Sequence, residues 1–250
     1  MLDWEKHKFN MVRILKDIYE HPRLGNYLGF KGGTACNFFY GLPRHSVDLD
    51  FDLLFSENMT EDDRQEREKF VFEEINKILK RYSEFKVREA TIKRYTIFFL
   101  LSYGEGEHTV KIEISRRPMK SKFVVEEYLG IPMLVIVKED AFANKLVALL
   151  DRKKVAMRDL FDVHFFFSDG WEINEEIIRE KTGKKLDEYL DDCVKFIKKL
   201  SVRNILDGLG ELLDQSQKDW ARDKLKDDTI FLIKAYRERL VKKGFVKGRK

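Results

Sequence analysis

Three aspartates, Asp48, Asp50 and Asp52, alternate with Val47, Leu49, Phe51 and Leu53. In an extended strand successive side chains point to opposite faces. The carboxylates therefore share one face and the apolar residues take the other. Like charges two residues apart repel. A hard divalent cation such as Mg2+, bound through carboxylate oxygens, removes that repulsion. Asp48 and Asp50 are the candidate metal ligands. Asp52 stays open between a third ligand and a structural carboxylate. The plain alternative for the whole stretch is a solvated face or a charge-protected edge strand.

Just upstream stands Gly32-Gly33-Thr34. Glycines let backbone N–H groups approach a phosphate, and a helix starting there adds a favourable dipole. The loop between glycines and carboxylates carries Arg44 and Ser46. A guanidinium suits phosphate by paired hydrogen bonds and a hydroxyl by a single one. Arg44 as an ordinary surface arginine and Lys31 as a solvated strand end are the competing readings.

Glu113, within Val110-Lys-Ile-Glu-Ile114, is the best third acid. If its strand neighbours the aspartate strand, three carboxylates converge and two metal ions can bind. Its alternative role is a cross-strand partner for Lys111 or Arg88. Farther on, Lys145 sits in the apolar run Ala141-Phe-Ala-Asn-Lys-Leu-Val-Ala148, followed by Arg158, Asp159 and Asp162. A lysine in such a setting must face a cleft or find a partner. Lys145, Arg152 and Arg158 can line a triphosphate path, with Asp159 orienting one of them. A simple salt bridge between Lys145 and Asp159 is the competing account. His164, Cys36 and the run Phe165–Phe167 read as packing, and His45 and His108 have no partner at metal-ligand spacing.

The elements that must position these residues follow from periodicity. A helix is expected over residues 3–20 with Asp3 as N-cap, a short strand over 27–31, a helix over 34–40 and the acidic strand over 47–54. Thr60 caps a helix to about residue 82. Strands follow near 85–91, 95–103 and 108–115, with a turn at Gly104-Glu-Gly106 and a short extended piece at 134–137. Helices then cover 139–153 and 155–168, and the chain stays helical with charged faces to about 241. The expected boundary lies near residue 138, a mixed α/β part preceding a helical one.

With 250 residues, 43% of them apolar, the chain can build a sizeable core. Charged residues reach 37%, with only three glutamines, a bias also found in thermophile proteins. A net charge of +4 and pI near 8.8 are compatible with a nucleic-acid partner without demanding one. Two distant cysteines argue against a zinc site or a disulfide framework and fit a reducing cytoplasm. The N-terminus lacks the apolar core of a signal peptide, and no apolar run approaches membrane-spanning length.

The succession Gly32-Gly33-Thr34-Ala35, Tyr40-Gly41, Arg44, Ser46, Asp48 and Asp50 resembles the nucleotidyltransferase superfamily of the DNA polymerase beta type. More closely, it resembles the AbiEii toxin family, the toxin half of abortive-infection toxin–antitoxin pairs. Lys145-Leu-Val-Ala148 with Arg158, Asp159 and Asp162 is similar to a second block of that family. The resemblance covers about residues 1–168. It implies an α/β (α+β) core with a mixed sheet flanked by helices, residues 1–138, followed by an all-helical domain, residues 139–250. It implies Mg2+-dependent transfer of a nucleoside monophosphate from an NTP, with Mn2+ as a substitute. Some members add nucleotides to the 3' end of tRNA, so the implied partners are tRNA or another RNA and a cognate antitoxin, with no membrane. Carried over by residue, Gly32, Gly33 and Thr34 hold the triphosphate with Arg44, Ser46, Lys145 and Arg158. Asp48 and Asp50 hold metal, Glu113 is the superfamily's third-strand acid, and Asp159 is the catalytic or orienting acid of the second block. Rival readings are transfer to a small molecule or a protein hydroxyl, a housekeeping tRNA-maturing or antibiotic-modifying enzyme, and a non-catalytic RNA- or protein-binding module on the same fold.

Overall fold

The computed structural model describes residues 3–56, 58–103, 109–118, 120–151 and 156–242. The expected turn at 104–106, His108, Arg152 and most of the basic tail lie outside these residues. The chain divides into two compact units, Met1–Val137 and Lys138–Lys250.

The first unit opens with α1 (Trp4–Glu20), whose N-cap Asp3 accepts a hydrogen bond from the Lys6 amide. Strand β1 (Leu28–Lys31) runs directly into α2 (Gly32–Tyr40). Strand β2 (Asp48–Leu53) follows, then α3 (Glu61–Lys80), started by a capping box between Thr60 and Asp63. The remaining strands are β3 (Lys86–Ile92), β4 (Thr96–Ser102), β5 (Thr109–Ser115), β6 (Phe123–Tyr128) and β7 (Ile131–Ile136). They form one mixed seven-stranded sheet in the order β3-β4-β5-β2-β1-β7-β6. The pairs β2–β5 and β1–β7 are parallel and the others antiparallel.

The core forms where one sheet face meets α1 and α3. Met11, Ile14, Leu15 and Ile18 of α1 and Val71, Ile75 and Leu79 of α3 pack with Leu49 and Phe51 of β2 and Ile112 and Ile114 of β5. A one-residue slip of β2 would take Leu49, Phe51 and Leu53 out of this core. At about 1.5–3 kcal/mol per buried side chain, that loss is about 5 to 9 kcal/mol. Burial of these three side chains therefore sets the register, and the aspartates follow.

Strand β6 has no counterpart among the expected elements. Its sequence, Phe123-Val-Val-Glu-Glu-Tyr128, lacks a clean alternation. It pairs with β7 through a two-residue turn in which Leu129 (φ 52°) and Gly130 (φ 78°) both have left-handed backbone. That is the primed hairpin geometry, usually flagged by Asn-Gly. Here leucine takes the first position, so the usual signal is missing. The expected piece at 134–137 is the second half of β7.

Among the described residues the second unit carries helices and no strand: α4 (Lys138–Asp151), α5 (Met157–Ser168), α6 (Glu175–Thr182), α7 (Leu186–Lys199), α8 (Gln215–Asp223) and α9 (Leu225–Lys242). Phe166 stacks on Trp171 at 4.1 Å and meets Phe142 edge-on, so the phenylalanine run is packing, as its sequence suggests. His164 packs against Trp220 at 4.7 Å, and burial lowers its pKa. Cys36 and Cys193 are buried thiols. Among the described residues, no helix is long and apolar enough to cross a membrane.

Leu129 is 74% exposed, so its strained backbone has little packing to offset it. Leu129→Asn should raise the unfolding free energy by about 1 kcal/mol in urea titration. A lower stability would mean that the leucine side chain contributes more than its exposure allows.

Candidate active site

The passage from β1 to α2 takes no connecting loop. Gly32 turns the chain with φ 81°, a left-handed value that disfavours a side chain, and a Cβ there would overlap Asp50 Oδ2. The N-cap Lys31 makes no side-chain hydrogen bond to the first turn of α2. The opening amides, including those of Gly33 and Thr34, thus form a helix N-terminus of the kind that suits an anion. A Cβ on Gly33 would meet an Arg44 guanidinium nitrogen at 2.5 Å and Ser46 Oγ at 3.1 Å. Arg44 and Ser46 therefore stand against the glycine turn. Arg44 is only 4% exposed, unlike an ordinary loop arginine.

Several hydrogen bonds fix this loop. Asn37 Nδ2 donates to the Leu42 carbonyl at 2.8 Å and the Arg44 carbonyl at 3.0 Å. Thr34 Oγ1 donates to the Asp48 carbonyl and shares a 2.9 Å hydrogen bond with Ser46 Oγ. Thr34 thus ties the first turn of α2 to the first residue of β2.

Across the parallel pair, Asp48 stands beside Lys111, Asp50 beside Glu113 and Asp52 beside Ser115. The pleat puts all six on the face opposite the core. The pairing of β5 with β2 sets Glu113 beside Asp50, the condition on which the three acids are expected to converge. Lys111 Nζ lies 3.1 Å from Asp48 Oδ2 and 3.6 Å from Glu113 Oε2, whereas Arg88 donates to Ser102 Oγ instead. Asp52 is 1% exposed and paired with Lys31 Nζ at 2.5 Å. That geometry makes Asp52 a structural carboxylate and Lys31 its partner rather than a solvated strand end.

Burial, then repulsion from Asp48 and Glu113, pushes the Asp50 carboxyl up to about 6, against the pull of Lys111 and Lys31. Burial by itself would lower Lys111, but Asp48 and Glu113 reverse this and hold its ammonium above the ordinary lysine value. Among the described residues, no group of three or more His, Cys, Asp or Glu side chains already converges as a metal site. The donors nonetheless suit a hard cation in type: carboxylate oxygens on adjacent strands, one of them repelled by the other two.

In the helical unit, Lys145 Nζ lies 3.0 Å from Asp159 Oδ1 and 2.9 Å from Asp162 Oδ2, and both aspartates are fully buried. The salt bridge given above as the plain account is thus present, widened to a second acid. Arg158 is half-buried next to Asp159.

One positioning residue is not among the sequence candidates. His7 is fully buried and hydrogen-bonds Val47 O through Nε2 at 3.1 Å and Tyr103 Oη through Nδ1. A carbonyl only accepts, so Nε2 carries the proton and Nδ1 accepts from the tyrosine. His7 thereby anchors α1 to the residue before Asp48. Its place on the apolar stripe with Met11, Ile14 and Ile18 was the available signal. Trp4 also stacks on His45 at 4.1 Å, beside Arg44 in the chain.

Solved structures share this fold. JHP933 from Helicobacter pylori superposes with TM-score 0.64 at 22% identity, covering 98% of this chain and 97% of that one. MenT4, the nucleotidyltransferase toxin Rv2826c from Mycobacterium tuberculosis H37Rv, gives TM-score 0.60 at 20% identity, covering 92% and 84%. A comparison with curated proteins finds no match. The architecture is that of a nucleotidyltransferase. Residues 13–236 match the family described as nucleotidyl transferase AbiEii toxin, type IV TA system, and the chain belongs to that family. It is a nucleotidyltransferase enzyme of the toxin–antitoxin class.

The raised Asp50 carboxyl fixes a sign. Folded protein binds this proton more tightly than unfolded chain, so the associated stability is present at acid pH. It is lost as pH rises from about 4 through about 6. In chelator-treated protein, Asp50→Asn should gain on wild type between pH 4 and pH 7 by on the order of 2 kcal/mol, measured by urea unfolding. An unchanged difference at the two pH values would contradict the shift.

Proposed function

We propose that this toxin transfers a nucleoside monophosphate from an NTP to an RNA hydroxyl, with the 3' end of tRNA as acceptor and Mg2+ as cofactor. The observation that carries the reading is the register of Asp48 and Asp50 beside Lys111 and Glu113, next to a helix that starts on Gly32-Gly33.

The first-turn amides of α2, with Arg44 and Ser46, receive the triphosphate. In the second unit, Lys145, oriented by Asp159, and Arg158 are that unit's own candidates for a phosphate contact. Asp48, Asp50 and Glu113 would hold the metal. When bound, Mg2+ (or Mn2+) supplies charge neutralisation at the α-phosphate and at the leaving group. The acceptor oxygen forms a bond to the α-phosphorus, the bond from that phosphorus to the bridging oxygen of the β-phosphate breaks, and pyrophosphate leaves. Glu113 is assigned the hydroxyl proton, taken directly or released through a second metal ion it would help hold.

The RNA acceptor rests on the resemblance given above, some members of that family adding nucleotides to tRNA, and is compatible with the net charge of +4. The type of system implies a cognate antitoxin, and the substrates imply action in the cytoplasm. We assign residues 1–138 to nucleotidyl transfer and 139–250 to a helical domain, close to the compact units Met1–Val137 and Lys138–Lys250.

The test is incubation with total tRNA, Mg2+ and each labelled NTP in turn. Label should enter tRNA with wild type and fall at least about 100-fold with the Asp48→Ala, Asp50→Ala double variant. Binding of tRNA should weaken steeply as salt rises. Label entering protein or a small acceptor would overturn the RNA assignment. Full transfer by the double variant would overturn the metal assignment.

A further inference from the structure

Lys111 stands among the carboxylates assigned to the metal, yet the transfer reaction gives it no task. The pleat directs it to their face, because it is the strand-pair partner of Asp48 and lies two residues before Glu113. Its Nζ is 3.1 Å from Asp48 Oδ2 and 3.6 Å from Glu113 Oε2, with the side chain 28% exposed. On the neighbouring strand β1, Lys31 makes its ion pair with Asp52. The acids do not converge on a common metal point among the described residues; Asp48 and Glu113 instead direct oxygens at an ammonium.

We propose that Lys111 is a built-in counter-cation that holds the acid face together without metal, and that a divalent ion binds there by displacing its ammonium from Asp48 and Glu113. The inference rests on the reading of these acids as metal ligands. Two like charges do not share the space between the same carboxylates. A divalent ion approaches an oxygen to about 2.1 Å, far closer than the ammonium stands here. The lysine stem has four carbons and several rotatable bonds, so Nζ can leave without moving β5. Fold stability and metal affinity are then opposed at one residue: the ammonium that steadies the metal-free sheet also competes with the ion.

Mn2+ alone is the probe, titrated into the full chain without nucleotide and read by electron paramagnetic resonance, alongside thermal melting in EDTA. Lys111→Met should bind Mn2+ on the order of tenfold tighter than wild type. It should melt lower in EDTA and gain more on adding Mn2+. Lys111→Arg, which keeps the charge, should stay near wild type in both measurements. A purely structural lysine would lower the melting temperature without tightening Mn2+. Should Lys111→Met fail to fold in EDTA, Lys111→Gln keeps a polar stem and should show the same tightening. If wild type binds Mn2+, Asp48→Asn loses it and the uncharged Lys111 variants bind no tighter, the counter-cation idea is overturned while the metal reading stands. If neither wild type nor variants bind Mn2+, both are overturned.

Discussion

The structure depends on the pleat of β2, one strand whose two faces have opposite demands. Leu49, Phe51 and Leu53 are buried against α1 and α3, and their burial fixes where the strand sits. Asp48, Asp50 and Asp52 are carried to the other face with no choice of register left to them. Hydrophobic burial of several kcal/mol holds the register, and Lys31 and Lys111 offset part of the repulsion among the carboxylates. The protein uses a large, non-directional force to hold a small, directional and unfavourable arrangement in place.

That arrangement is balanced locally. Lys31 neutralises Asp52, which is fully buried and needs a partner. Lys111 sits between Asp48 and Glu113, and the Asp50 carboxyl is raised first by its burial and then by repulsion from those two acids. The strand that looks uniform in sequence therefore divides by function. Its last aspartate pairs with Lys31, while its first two stand beside Lys111 and Glu113.

The helix start beside this strand extends the same logic. Gly32 and Gly33 leave room for Asp50, Arg44 and Ser46, where any Cβ would collide. Thr34 couples the turn to the Asp48 backbone, and His7 secures Val47 from the other side of the chain. Anion-accepting amides and the carboxylates of β2 are thereby held side by side on adjacent elements of one unit by hydrogen bonds. Such an arrangement suits a substrate that carries both a polyphosphate and its metal.

Much of this was legible in order of residues. Strict alternation marked β2 and β5, and the glycine pair, Thr60 and Asp3 marked helix starts, because pleat, cap and turn chemistry act over a few neighbours. Strand β6 was not legible, since Leu129-Gly130 forms its hairpin turn without the usual residues. The sequence by itself determined that Asp48, Asp50 and Asp52 share a face and that a glycine turn precedes them. Only the tertiary structure decided that β5 lies parallel beside β2, that Lys31 takes Asp52, that Lys111 bridges Asp48 and Glu113, and that Lys145 is clasped by two buried aspartates. Those pairings join residues brought together by packing of a whole sheet or helix bundle, and local periodicity carries no information about which distant strand or helix becomes the neighbour.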